Sequence, residues 1–205
     1  VTRRELDTPH GRALIVELAD SQLETLLPAE QALAKSLGDV RRRELAAGRT
    51  ALRELLGTAT QPILSDDRGA PILPAGFVGS ISHKGPRAAA IIAPAGHGHI
   101  GIDLERATAP KQAIGRRILT ADEARIVGDD GRAVTLHFAI KEAIYKAIDP
   151  IVRRYVGFTE VSLVIAGPGE CAVTVVDPNA LPVTIDAWWT ELDGHWLATA
   201  RALRR

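Results

Sequence analysis

Two long stretches of helical periodicity, residues 39–56 and about 132–148, each lead into short strand candidates separated by turn residues. This duplicated order limits the fold more than any other feature of the chain. Gly57 closes the first helix, and Asp149-Pro150 is expected to end the second. Strands are predicted at 77–82, 87–93 and 99–105, with Pro94, Gly96 and Gly98 as hairpin punctuation between the last two. In the second half they are predicted at 160–166, 170–176, 183–190 and 196–200. A strand at 11–18 and helical residues from about Ser21 come before the first helix. A loop rich in Pro, Gly and Asp follows it at 61–74, and Thr120-Ala121-Asp122-Glu123 is a capping box that opens a short helix. No short-period repeat is visible. The fold class expected is α+β, with two similar lobes, 1–105 and 106–205, each of helices packed on a small antiparallel sheet, and a site between them.

Apolar residues make up 46% of the chain, enough for a sizeable core without staples. The one cysteine, Cys171, lies in an apolar run and offers neither a disulfide framework nor a zinc pattern, so a reducing cytoplasm is expected. The stretch Val1-Thr2-Arg3-Arg4-Glu5 is polar and no apolar run reaches membrane-spanning length, which predicts a soluble protein without a secretion signal. With 25 basic and 25 acidic residues, the net charge of zero argues against a coat for nucleic acid.

Chemistry concentrates in four segments. In Ile100-Gly101-Ile102-Asp103-Leu104-Glu105, strand alternation puts the Asp103 and Glu105 carboxylates on one face and Ile102 and Leu104 on the other. Paired acids suit a hard cation such as Mg²⁺, and they equally describe a solvated strand end. In Phe138-Ala139-Ile140-Lys141-Glu142-Ala143-Ile144-Tyr145-Lys146, helical spacing gathers Phe138, Lys141, Glu142, Tyr145 and Lys146 opposite an apolar stripe. Glu142 and Lys146 fit a surface ion pair; they also fit a third metal carboxylate flanked by lysines facing phosphate. These two lysines stand out because the chain has only five.

Gly79-Ser80-Ile81-Ser82-His83-Lys84-Gly85 ends a strand on hydroxyl, imidazole and ammonium donors suited to a phosphate. Arg41-Arg42-Arg43-Glu44-Leu45-Ala46-Ala47-Gly48-Arg49 offers guanidinium forks on a helix, or simply a charged solvent face. Gly48 in mid-helix costs ~1 kcal/mol relative to alanine, which predicts a close neighbour at that turn. His97 and His99 lack a third partner for a metal and read as hairpin residues. Ser80 and Ser82 have no nucleophile elbow, and no phosphate loop or dinucleotide fingerprint occurs.

The order of these segments, together with Arg68-Gly69-Ala70-Pro71, resembles the surfactin-type 4′-phosphopantetheinyl transferases, and more closely their enterobactin-synthase-component branch. The match runs from about Arg41 to Phe158. It rests on the pair G-[IV]-D-x-E and [FW]-x-x-K-E-[AS]-x-x-K at this separation. Departures are Ala139, where members often carry a small polar residue, and Lys84, where this branch often has cysteine.

The resemblance implies a cytoplasmic monomer of two pseudo-symmetric lobes that needs Mg²⁺. Such an enzyme moves the phosphopantetheine arm of coenzyme A to a serine of an apo acyl or peptidyl carrier protein, releasing adenosine 3′,5′-bisphosphate. It assigns Asp103, Glu105 and Glu142 to the metal, and Arg41, Arg49, Arg68 and His83, with Ser82 beside them, to the adenosine phosphates. Lys141 and Lys146 are assigned to the pyrophosphate, with Glu142 the candidate base; neither a membrane nor a nucleic acid is implied as a partner. Two other readings use the same residues: a Mg²⁺-dependent phosphoester or pyrophosphate hydrolase, and a silent module that binds coenzyme A or a carrier.

Overall fold

Strand pairing and helix packing separate the chain into two units, Val1–Gly96 and His97–Arg205. The computed structural model describes residues 3–58 and 60–205; Val1 and Thr2 of the polar N-terminal stretch lie outside the described residues.

In the first unit, β1 (Arg3–Thr8) and β2 (Gly11–Glu17) form a tight antiparallel hairpin. A 3₁₀ turn at Asp20–Thr25 and the short helix α1 (Pro28–Ala34) lead to α2 (Asp39–Leu56). Strands β3 (Phe77–Lys84) and β4 (Arg87–Pro94) complete a sheet of order β1-β2-β4-β3 among the described residues. Helix α2 begins and ends where the sequence predicts, and Gly57 closes it in the left-handed conformation with φ 64°. Its apolar side, Ala47, Ala51, Leu52 and Leu55, packs on Leu14, Val16, Ala88, Ala90 and Ile92 of the sheet. At Gly48 helix and sheet approach closely: a Cβ there would lie 2.8 Å from Ile81 Cγ2. The close neighbour expected from this glycine is thus the unit's own β3. Strand β1 escapes sequence reading because its six residues are mostly charged and mostly exposed; its partner β2 supplies the apolar burial.

In the second unit, β5 (His99–Arg106) leads through α3 (Gly115–Ile118) and α4 (Ala121–Val127) to the long helix α5 (Gly131–Val152). Strands β6 (Val161–Gly167) and β7 (Glu170–Val175) pair as a hairpin, and β8 (Val183–Leu192) and β9 (His195–Arg204) follow. Among the described residues the main sheet has the order β5-β9-β8, all antiparallel. Helix α5 buries Ile140, Ala143, Ile144, Ala147 and Ile148 in a core with Val183, Ala187, Ala198, Ala200 and Ala202.

Three expectations change. The domain boundary falls at Gly96/His97 and not after Glu105, because β5 pairs with β9 along its whole length. For the same reason Pro94, Gly96 and Gly98 do not close a hairpin; that hairpin joins β3 to β4 instead. Helix α5 runs past Pro150 to Val152 before Arg153 turns left-handed at φ 48°. A proline one turn from a helix end removes only one late hydrogen bond, so it need not break the helix there.

Candidate functional site

The first unit brings together two of its five expected phosphate-binding residues. Arg41, in the first turn of α2, places Nη1 3.1 Å from His83 Nε2 on β3 and 3.0 Å from Glu44 Oε2. With the arginine donating, His83 Nε2 accepts, so the ring proton lies on Nδ1, which faces Glu44 Oε1 at 3.4 Å. Glu44, not singled out in the sequence, therefore orients both partners; the signal was its place one turn after Arg41. Ser82 is buried and, by strand alternation, points to the sheet face opposite His83, so it does not stand beside it as expected.

Arg49 is also placed otherwise than expected. It is buried, its Nε donates to Ile63 O at 2.7 Å and its Nη2 to Ser65 Oγ at 2.8 Å. Burial pushes its pKa down, and the nearby Glu30 charge opposes that shift. One turn on, Arg53 Nη1 is 2.7 Å from both oxygens of Glu30, which also accepts from the backbone of Leu27 and Ile63. These arginines bind their own loop. The loop then forms a small hairpin, with Ile72 N donating to Leu64 O and Asp66 Oδ1 accepting from Arg68 N and Ala70 N. Arg68 sits exposed at its tip.

In the second unit, β5 carries Asp103 and Glu105 and α5 carries Glu142. Ile102 and Leu104 are buried, Asp103 is 5% exposed and Glu105 is half-buried. The glycine of the motif sets the distance to α5, since a Cβ on Gly101 would lie 2.0 Å from Ala143 O. Lys146 of α5 donates to Ile102 O at 2.9 Å and to Asp103 Oδ1 at 2.7 Å. The half-buried Glu142 has its pKa raised, first by burial, then by the Asp103 charge, partly offset by Lys146, and further by Glu105. Three carboxylates thus sense one another around one ammonium.

Their all-oxygen chemistry fits a hard divalent cation. Among the described residues, however, no three His, Cys, Asp or Glu side chains converge closely enough to form a ready cage. The expected three-carboxylate ligand set is therefore not preformed, and Asp103 is paired with Lys146 instead.

Lys141 departs most from expectation. Its side chain has no exposed surface, and Nζ donates to Ile118 O at 2.8 Å and to Glu123 Oε2 at 2.7 Å. Burial lowers its pKa, while Glu123 pulls it back up. The expected polar stripe of α5 fails because the helix is covered on that side too: Phe138 packs among Ile118, Leu119, Val127 and Val134, with its ring 5.7 Å from that of Phe158. Helical periodicity reports one buried face and is silent about a second. His99 lies on β5 and its pKa is lowered by burial; Cys171 is half-buried on β7, its thiol pushed up to about 12, first by burial. No helix among the described residues is long and apolar enough to cross a membrane.

Two family models match the chain. That of the 4′-phosphopantetheinyl transferase N-terminal domain covers residues 29–93, and that of the 4′-phosphopantetheinyl transferase superfamily covers 99–200. Their junction brackets the structural boundary. The chain is 36% identical over 140 residues to the 4′-phosphopantetheinyl transferase Npt of Nocardia iowensis, covering 65% of this chain and 63% of that protein. It is 29% identical over 192 residues to the 4′-phosphopantetheinyl transferase Svp of Streptomyces mobaraensis, covering 87% and 76%. With enterobactin synthase component D of Salmonella typhimurium it shares 37% identity over 123 residues, covering 55% and 50%. The matched stretch thus spans between half and about three quarters of these curated relatives.

Proposed function

This chain belongs to the 4′-phosphopantetheinyl transferase superfamily, and from that premise we propose that it moves the phosphopantetheine arm of coenzyme A onto a serine of an apo carrier protein. The observation that carries the proposal is the meeting of Asp103, Glu142 and Lys146 on β5 and α5, with Glu105 one pleat away. The names of the relatives support the transfer of a phosphopantetheinyl group.

In the second unit, Asp103, Glu105 and Glu142 would hold Mg²⁺, which supplies neutralisation of charge growing on the leaving phosphate when bound. Lys146 is the ammonium that faces the pyrophosphate, where a partly dry setting strengthens its attraction for the developing charge. The carrier serine hydroxyl attacks the β-phosphorus of coenzyme A, its O–P bond forms as the bridging P–O bond breaks, and adenosine 3′,5′-bisphosphate departs. The hydroxyl proton passes to Glu142, the candidate base. In the first unit, Arg41, His83 and Arg68 are the residues proposed for the adenosine phosphates; Arg49 and Ser82 are not, on the geometry above. We propose further that the enzyme meets its carrier substrates in the cytoplasm and acts as a monomer.

The test is the intact mass of an apo carrier incubated with the protein, coenzyme A and Mg²⁺. A gain of one phosphopantetheine arm is expected, lost with EDTA or in Asp103→Ala. Glu142→Gln is expected to lower turnover by about 10²–10⁴ while coenzyme A still binds; retained turnover would remove Glu142 from the scheme. No gain with coenzyme A cleaved would favour a hydrolase, and no gain with coenzyme A intact a silent module.

A further inference from the structure

We infer that Lys141 is a positioning residue and not a phosphate ligand: with Glu123 it forms a buried clamp that sets the rotation of α5 and so presents Glu142 beside Asp103 and Glu105. The inference rests on the transferase reading in that it takes Glu142 as the working carboxylate.

The clamp is built from segments distant in sequence. Glu123 is 1% exposed, far more buried than the third residue of a capping box needs to be. Its Oε2 accepts from Thr120 N at 2.6 Å, closing that box, and also from Lys141 Nζ at 2.7 Å. Its Oε1 accepts from the backbone N–H of Leu163, the third residue of β6, at 2.7 Å. Lys141 adds a bond to Ile118 O at the end of α3. One ion pair therefore ties α3, the start of α4, β6 and α5 together. No phosphate reaches an ammonium whose side chain exposes no surface unless these segments part.

Rotation of α5 needs such a device. The side that meets β5 is lined by small residues, with Ala143 and Ala147 against Gly101. Small residues at this contact interlock less than large ones would, so directional bonds there add to the setting that the buried Ile140, Ile144 and Ile148 give the helix by packing. Hydrogen-bonded charges do have direction. At about 100° per residue, Lys141 lies about 100° to one side of Glu142 and Lys146 about 40° to the other. Lys146 is pinned to Ile102 O and Asp103 Oδ1 of β5; Lys141 is pinned to Ile118 O and Glu123. Glu142 stands between two fixed points. Loss of either pin leaves the carboxylate in place chemically but misdirected, and misplacement of a reacting group by about 1 Å can cost about 10²-fold in rate.

The experiment compares wild type, Lys141→Met, Glu123→Gln and the double variant in carrier loading and in calorimetric binding of coenzyme A. Each single variant is expected to lose at least about tenfold in kcat with KM and Kd for coenzyme A within about twofold of wild type, the double being no worse than the weaker single. A rise of tenfold or more in the Kd of Lys141→Met alone, with Glu123→Gln unchanged, would make Lys141 a phosphate ligand and overturn the clamp. Wild-type kcat in folded single variants would overturn it as well. Should the singles fail to fold, the double variant, which leaves no unpaired buried charge, decides alone: a lost kcat with unchanged Kd supports the clamp, and wild-type kcat overturns it. Absence of loading by the wild type itself counts against the transferase reading only. Amide exchange over residues 140–148 then decides the clamp, faster in the double variant if the pair sets the helix and unaltered if it does not.

Discussion

Single residues in this protein are constrained by what their nearest neighbours leave room for, and two of them give direct tests. Gly101→Ala would drive a methyl to 2.0 Å from Ala143 O, a backbone atom of the longest helix, which cannot yield like a side chain tip. Overpacking of this kind costs about 1–3 kcal/mol or more, so a lowered urea midpoint is expected, and an unchanged midpoint would contradict the packing of β5 on α5. His137 is buried with Nδ1 2.8 Å from Ala133 O, and its pKa is lowered, chiefly by burial. A lowered folded-state value means that the unfolded chain binds the proton more readily. The stability it confers is complete above the ordinary value of 6.5 and declines as pH falls toward the lowered one. Unfolding free energy measured between pH 8 and 5 should therefore fall on the acid side, with a smaller slope in His137→Gln. His99 has the same sign.

Elements are held by charged groups that the sequence offers for other work. Arg49 fits a phosphate fork by residue type, yet its donors hold Ile63 and Ser65, and with Arg53 and Glu30 they anchor the loop that carries Arg68. The two arginines should separate cleanly in experiment. Arg49→Ala is expected to destabilise the protein by about 1–3 kcal/mol, the cost of leaving buried acceptors unpaired, and to speed amide exchange across residues 61–72. Arg68→Ala, at the exposed hairpin tip, should alter stability by no more than about 0.5 kcal/mol while raising KM for coenzyme A. Equal effects of both on KM with no loss of stability would return Arg49 to the phosphate site. The boundaries of α2 were readable because propensity, apolar period and Gly57 agree there. The C-terminal end of α5 was not, since a proline near a helix end costs little and Arg153 supplies the turn.

At the scale of the whole molecule, two α+β units each close a core of their own, and the acids crowd in the second. If Asp103, Glu105 and Glu142 hold Mg²⁺ as proposed, the folded protein binds the cation more tightly than the unfolded chain does. Mg²⁺ should therefore raise the Tm of the protein without coenzyme A, by an amount growing as RT ln(1 + [Mg²⁺]/Kd), about 2.7 kcal/mol at a hundred times Kd. Asp103→Asn should remove the rise; a flat Tm in wild type would sink the proposed metal set.

By itself the sequence determined the fold class and most element positions, because these follow from local period and from short motifs whose residues sit within one strand or one helix turn. Only the tertiary structure decided that β5 belongs with β9, that Arg49 and Lys141 are buried ion-pair and hydrogen-bond donors, and that Glu44 and Glu123 are their neighbours' organisers. The physical reason is that a charged side chain's role depends on which distant backbone carbonyl or carboxylate reaches it in the fold. Residue type and spacing describe what a lysine or arginine can bind, and the fold selects what it does bind.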